Sequence, residues 1–324
     1  MLKSLRLQAD MMEEFGACVF DVTLDCEDGA PGGGELEQAN MVVAVANAAQ
    51  VAINSVVDGP LRRVGARLHP VGHPSFASDV EIVVGGASRA LSYIMIPKVE
   101  SRHDVDVAVA AIDAATEPGV AKGNTCALPV HVLIESPAAV AQAFDIASHP
   151  RVESLSFGLM DFVSTHAGAI SSSAMGVRKE GDRHTLDQFH HPLVVRAKLE
   201  ISSACHAYGK VPSHCVVTEF RDAALLASAA QMAAGAFGYT RMWSIHPDQI
   251  RPIVQAFSPS AHEIALAADI IDKAATNDWA PISVGGTLHD RASYRYFWQV
   301  LERGHQTGAV LPSEIQQYFA SSHH

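Results

Sequence analysis

Short apolar runs that each end in a charged residue, alternating with helical stretches, constrain this chain most. Val130-His131-Val132-Leu133-Ile134 reads as a buried strand and ends at Glu135. Its echo, Leu155-Ser156-Phe157-Gly158-Leu159-Met160, ends at Asp161. Between them Ala138 to Ser148 is helical in pattern, with Ala139, Ala143, Ile146 and Ala147 on one face. Strand, helix and strand with acids at the carboxyl ends is how parallel α/β folds build active sites. A carboxylate there is costly to dehydrate unless a cation offsets it.

The same alternation runs through the whole chain. Strands are expected near residues 19, 66, 94, 132, 156, 215 and 243, with helices between them. That order calls for a parallel sheet with right-handed crossovers. The length fits a (β/α)8 TIM barrel over residues 1–258, with extra C-terminal helices over 259–324 as a lid on a neighbouring subunit. An open doubly wound sheet is the alternative. The eighth strand is missing from the count; Ser4 to Phe15 suggests a helix, within which Leu5-Arg6-Leu7 is the candidate remnant. Residues 165–192, rich in Ser, Gly and His, read as one irregular loop suited to a lid.

Formal net charge is −12 with no basic stripe, which argues against nucleic acid as a partner. The five cysteines are odd in number and lack C-x-x-C spacing, so they read as reduced thiols. No apolar run approaches a membrane span, and the N-terminus lacks a signal-peptide pattern, so no membrane partner and a cytoplasmic location are expected. The 17 histidines are scattered; His69 and His73 flank Pro70 and Gly72, which spoils helical chelation.

In a barrel the strand ends share one face. That face would collect Asp25, Glu27 and Asp28, then Arg67, Lys98, Glu135 and Asp161. Two carboxylates without His or Cys partners suit a hard cation such as magnesium, which shares its shell with water and substrate. Arg67 offers a planar fork for a substrate carboxylate. Plainer readings stand beside these. Glu135 can cap the following helix, Asp161 can pair with a base, and Arg67 and Lys98 can be structural ion pairs. Asp25, Glu27 and Asp28 can be a solvated turn, and Trp243 is most simply core.

Six motifs in order then resemble the citrate lyase beta subunit and malyl-CoA lyase family. They are Asp25-Cys26-Glu27-Asp28, Arg67-Leu68-His69, Ile96 to Ser101, Ile134-Glu135-Ser136, Phe157 to Asp161, and Trp243 to Ile250. The resemblance implies a magnesium-dependent TIM barrel acting on β-hydroxyacyl thioesters, split into an acyl thioester and a 2-oxo acid through an enolate. It implies that Glu135 and Asp161 ligate Mg2+ and that Arg67 binds the 2-oxo acid and holds negative charge. Lys98 and His69 fall in the same substrate-binding set, with Asp25, Glu27 and Asp28 supporting it. Gly286 to Tyr294 resembles the C-terminal segment of malyl-CoA lyases, so Asp290 is the acid/base candidate, working in a neighbour's site. That role implies a homo-oligomer, a trimer or hexamer.

The chain departs from the family pattern at three places. The opening strand is not recognisable before Ala17, His69 replaces the usual Asn, and Arg241-Met242 replaces Gly-Lys. Two other readings follow from the residues: a 4-hydroxy-2-oxo acid aldolase that needs no CoA thioester, and a non-catalytic metal-binding subunit.

Overall fold

Strands form where short apolar, β-branched runs occur, and helices form where small apolar residues recur every three to four positions. The computed structural model describes residues 1–29, 32–53, 61–116, 127–179 and 181–320. Its main strands are β1 (Val22–Asp25), β2 (Val64–Arg67), β3 (Tyr93–Ile96), β4 (Val130–Ile134), β5 (Val152–Phe157), β6 (Val211–His214) and β7 (Arg241–Met242). They make one seven-stranded sheet in the order β1-β2-β3-β4-β5-β6-β7. Every neighbouring pair is parallel. β3 and β4 are buried along their whole length, which is why they read as unbroken apolar runs.

The segment between β4 and β5 folds as two short helices, Pro137–Ala141 and Ala143–Ser148. Ala139, Ala143, Ile146 and Ala147 are all buried in the main core. Ser136 begins the first helix: its hydroxyl accepts the Ala139 N–H at 3.0 Å, and Pro137 occupies the first turn. On β2, Gly65 leaves room for the Tyr93 ring; a Cβ there would lie 2.2 Å from a ring carbon.

Among the described residues neither β1 nor β7 has a strand on its outer edge. The segment expected to hold the eighth strand, Leu5-Arg6-Leu7, lies inside a helix, Leu2–Phe15. Helical spacing wins there because Leu5, Gln8 and Met11 fall on one buried face, and Gly16 stops the helix in the left-handed region at φ 65°. Met11 packs with Ile250 and Val254, so a helix rather than a strand lies against this seam. Asp21, just before β1, spans the seam by ion pairs to Arg63 (3.2 Å) and to Arg241 of β7 (3.1 Å). A cavity of about 1190 Å³ lies behind it, lined by Asp21, Thr23, Tyr93, His131, Ser156 and Arg241 among others.

The loop over residues 165–192 is more ordered than its composition suggests. It contains a 3-10 turn, Ser172–Met175, and it buries Ile170, Ala174 and Phe189. Asp187 accepts the N–H groups of Arg178 (2.8 Å) and Phe189 (3.1 Å), pinning the loop. This segment is packed, not an open flap.

Beyond residue 260, helices Ala261–Thr276, Arg291–Gln306 and Ser313–Ala320 share a separate apolar cluster that includes Ile264, Ile271, Leu301, Leu311 and Ile315. Around Gly285 the chain forms an antiparallel hairpin, β8 (Ile282–Val284) and β9 (Thr287–His289). Gly285 and Gly286 both take positive φ, 57° and 82°, as a two-residue hairpin turn requires. A long helix runs over Glu35–Ile53, and residues 54–60 lie outside the described ones. Cys126 and His323-His324 also lie outside them.

Candidate active site

Parallel pairing aligns the strand termini, and the charged residues gather there as expected. Asp25 and Arg67 close β1 and β2 as register partners. Their side chains form a bidentate pair: Arg67 Nε donates to Asp25 Oδ1 at 2.8 Å and Nη2 donates to Oδ2 at 2.7 Å. Glu27 Oε2 lies 2.9 Å from Arg67 Nη1, and Asp28 Oδ2 lies 2.9 Å from Nη2. Arg67 is therefore caged by three carboxylates. Within the turn after β1, Glu27 is not solvated, its side chain being 7% exposed, whereas Asp28 is.

Lys98 joins the cage by both ends of the residue. Its Nζ lies 2.6 Å from Glu27 Oε1. Its backbone adopts φ 51°, uncommon for a residue with a Cβ. In that conformation its N–H donates to Glu135 Oε2 at 2.7 Å. Ser136 donates to Glu100 at 2.7 Å, so the loop after β3 grips two consecutive residues after β4.

Glu135 is 6% exposed. Burial pushes its carboxyl up to about 7; the Lys98 N–H opposes the rise, while Asp161 and Glu27 add to it. Gly158 supplies the space: a Cβ there would lie 2.4 Å from both Cγ and Oε1 of Glu135. Asp161 follows in the first turn of the helix Leu159–Ser164, and its carboxylate has no hydrogen-bond partner among the described residues. Helix capping by Glu135 is ruled out, since Ser136 does that work.

These two acids fit a hard divalent ion. Among the described residues Glu135 Oε1 and both carboxylate oxygens of Asp161 have no hydrogen-bond partner, and the buried negative charge asks for a cation. No group of three or more His, Cys, Asp or Glu suited to a metal occurs among the described residues. Two ligands suit magnesium, which keeps waters and shares its shell with substrate.

Other expected residues sit differently. His69 is buried and points away from the cage: Asp79 Oδ2 lies 2.7 Å from its Nδ1 and accepts its backbone N–H at 2.9 Å. Its ring stacks on His73 at 4.4 Å. Asp290 caps the helix Arg291–Gln306, its Oδ1 accepting the Ala292 N–H at 3.0 Å. No hydrogen bond or ion pair joins it to Arg67, Glu135 or Asp161 within the described residues. Trp243, expected in the core, is only half-buried and lies with its ring centre 5.8 Å from the Arg67 guanidinium. The seam cavity reaches Asp25, Arg67 and Trp243, whereas Glu135 and Asp161 do not line it.

Fold and site together define an α/β protein with its chemistry at the carboxyl ends of parallel strands. The chain belongs to the HpcH/HpaI aldolase/citrate lyase family, whose profile matches residues 4–247. An L-malyl-CoA/beta-methylmalyl-CoA lyase of Cereibacter sphaeroides is 30% identical over 270 residues, 81% of this chain and 79% of the relative. A crystallised citrate lyase from Burkholderia xenovorans LB400 is 46% identical, with a TM-score of 0.77 over 98% of this chain and 92% of that one. The protein CitE of Mycobacterium tuberculosis, crystallised with magnesium, acetoacetate and coenzyme A, is 22% identical with a TM-score of 0.63 over 93% of this chain and 95% of that one. That last likeness concerns the fold alone. No helix of the described residues is long and apolar enough to cross a membrane.

Proposed function

We propose that this protein is a magnesium-dependent carbon–carbon lyase that splits, or forms, a β-hydroxyacyl-CoA thioester through an enolate, giving an acyl thioester and a 2-oxo acid. The observation that carries this reading is Glu135, a buried carboxylate near Asp161, with one oxygen free among the described residues and Lys98 joining it to Glu27 of the Arg67 cage. Glu135 and Asp161 would hold magnesium, which when bound would supply Lewis-acid polarisation of the 2-oxo acid. Arg67 binds the substrate's carboxylate and stabilises negative charge on the reacting oxygen. The cage of Asp25 and Glu27 fixes the guanidinium plane before substrate arrives, so little reorganisation is needed.

Asp290 is the acid/base residue, taking a proton from the carbon α to the thioester in condensation and returning it in cleavage. In this reading it acts in a neighbouring subunit, since no hydrogen bond or ion pair among the described residues of its own chain ties it to the strand-end acids. Residues 259–324 then form a lid unit distinct from a barrel over 1–258, with the helix Leu2–Phe15 standing at the seam in place of an eighth strand. Exposed Trp279, Leu288 and Tyr296 on that unit suit burial against another copy in a cytoplasmic trimer or hexamer. The Ile245-His246-Pro247-Asp248-Gln249-Ile250 ending and the named relatives favour the thioester reaction over a thioester-free aldolase.

The test is cleavage of malyl-, citramalyl- and citryl-CoA and of a free 4-hydroxy-2-oxo acid, with and without EDTA. Magnesium-dependent thioester cleavage, lost in Asp161→Ala, is the expected result. Cleavage confined to the free acid would move the assignment to the aldolase.

A further inference from the structure

Arg67 is expected to meet a substrate carboxylate, yet four of its five N–H donors are already engaged. Nε and Nη2 serve Asp25, Nη1 serves Glu27, and Nη2 also serves Asp28. The three acids are not held equally. Asp25 Oδ1 also accepts the Glu27 N–H at 3.1 Å, which fixes it to the turn. Glu27 is clamped between two cations and 7% exposed. Asp28 has Nη2 as its single polar partner among the described residues, and its side chain is 75% exposed.

We propose that Asp28 is a latch standing where the substrate's carboxylate docks, and that an incoming 2-oxo acid displaces it from Arg67 Nη2. The inference rests on the lyase reading for the identity of the ligand. The exchange is like for like, one carboxylate for another on the same N–H. Three carboxylates against two cations, Arg67 and Lys98, leave the cage with excess negative charge, and Asp25 and Asp28 crowd one nitrogen. The weakest member leaves first: exposed ion pairs contribute about 0.2–1 kcal/mol. Leaving costs Asp28 little, because water solvates it at once. An anion held at one point gains nothing over Asp28, whereas one anchored also by a metal does. The latch thus raises the threshold for simple carboxylates and passes chelating 2-oxo acids.

The test is calorimetric binding of pyruvate to the full-length, magnesium-loaded protein, with thioester cleavage kinetics alongside. Asp28→Asn should bind pyruvate about two- to fivefold more tightly, the factor that an exposed pair of this strength corresponds to. The change should fall on KM rather than kcat, and Asp28→Glu, which restores the carboxylate, should return toward wild type. Asp25→Asn, which frees the guanidinium plane, should weaken pyruvate binding instead. Equal or weaker binding by Asp28→Asn in a protein that cleaves thioesters overturns the latch alone. Tighter binding by Asp28→Asn in a protein that cleaves none overturns the lyase reading alone.

Discussion

Glu135 occupies the space that a side chain at position 158 would fill: a Cβ on Gly158 would stand 2.4 Å from its Cγ and Oε1. A contact under 3 Å to carbon cannot be absorbed without moving one partner, and Glu135 is already held by the Lys98 N–H. Gly158→Ala should therefore swing the carboxylate out of line and weaken magnesium binding about tenfold or more, roughly 1.4 kcal/mol per decade. Magnesium titration by calorimetry reads it directly. An alanine variant with wild-type affinity would show that Glu135 does not ligate.

Metal should also stabilise the fold. A ligand that binds only the native state adds about 2.7 kcal/mol at one hundred times its Kd. Millimolar magnesium is expected to raise the melting temperature of the wild-type protein and to do nothing for Glu135→Gln or Asp161→Ala. A shift of equal size in all three would place the metal elsewhere.

Asp290 serves as a helix cap, and this allows its two roles to be separated. Asp290→Asn keeps a capping oxygen, so its melting temperature should hold while activity falls by about 100-fold or more, the scale of a lost acid/base group. Asp290→Ala should lose activity and about 1 kcal/mol of stability as well. Mixing Asp290→Asn with Glu135→Gln subunits should restore part of the activity, because some sites would then receive both intact residues. If mixtures stay dead while each variant folds and assembles, the role in a neighbouring site is wrong.

Glu153 ties stability to pH. Burial alone would raise its carboxyl, but the His131 ring at 2.5 Å and the charge of Arg63 outweigh it and hold the group down at about 2. A pKa depressed from the ordinary 4.5 means stability that is complete above about 4.5 and lost as pH falls through 2. With a third of the side chain exposed, the solvent-discounted effect is about 1–2 kcal/mol. Urea unfolding should show Glu153→Gln weaker than wild type by that amount at pH 7, with the gap closing toward pH 2. A gap independent of pH would assign the loss to packing.

The strand-end acids were legible because burial on both faces writes β4 and β5 as apolar runs, leaving Glu135 and Asp161 conspicuous. Arg67 was legible as a candidate, but its cage was not, since Asp25, Glu27 and Asp28 reach it only once β1 and β2 pair. His69 found Asp79 through the same kind of contact, ten residues away. The hairpin at Gly285-Gly286 has a readable signal in two glycines between Ile-Ser-Val and Thr-Leu-His. Lys198 was hidden for a different reason: it shares a buried helix face with Val194, Ala197 and Ile201, where a long cation is unexpected. Its Nζ lies 3.9 Å from the centre of the Phe189 ring and donates to Gln188 at 2.9 Å. The seven strands of the sheet match the number legible in the sequence, and Leu5-Arg6-Leu7 adds no eighth because Leu5, Gln8 and Met11 share one buried helix face.

The pairing of Asp21 with Arg63 and Arg241 has a mechanical consequence. A ring of strands laced all round by main-chain hydrogen bonds is stiff, because widening it anywhere stretches the ladder. Here the first and last strands meet through side chains that flex about several torsions and lie near solvent. The link between the two edges of this sheet is therefore elastic where Asp21 ties them, and it softens as dissolved ions reach the part-exposed Arg63 and Arg241.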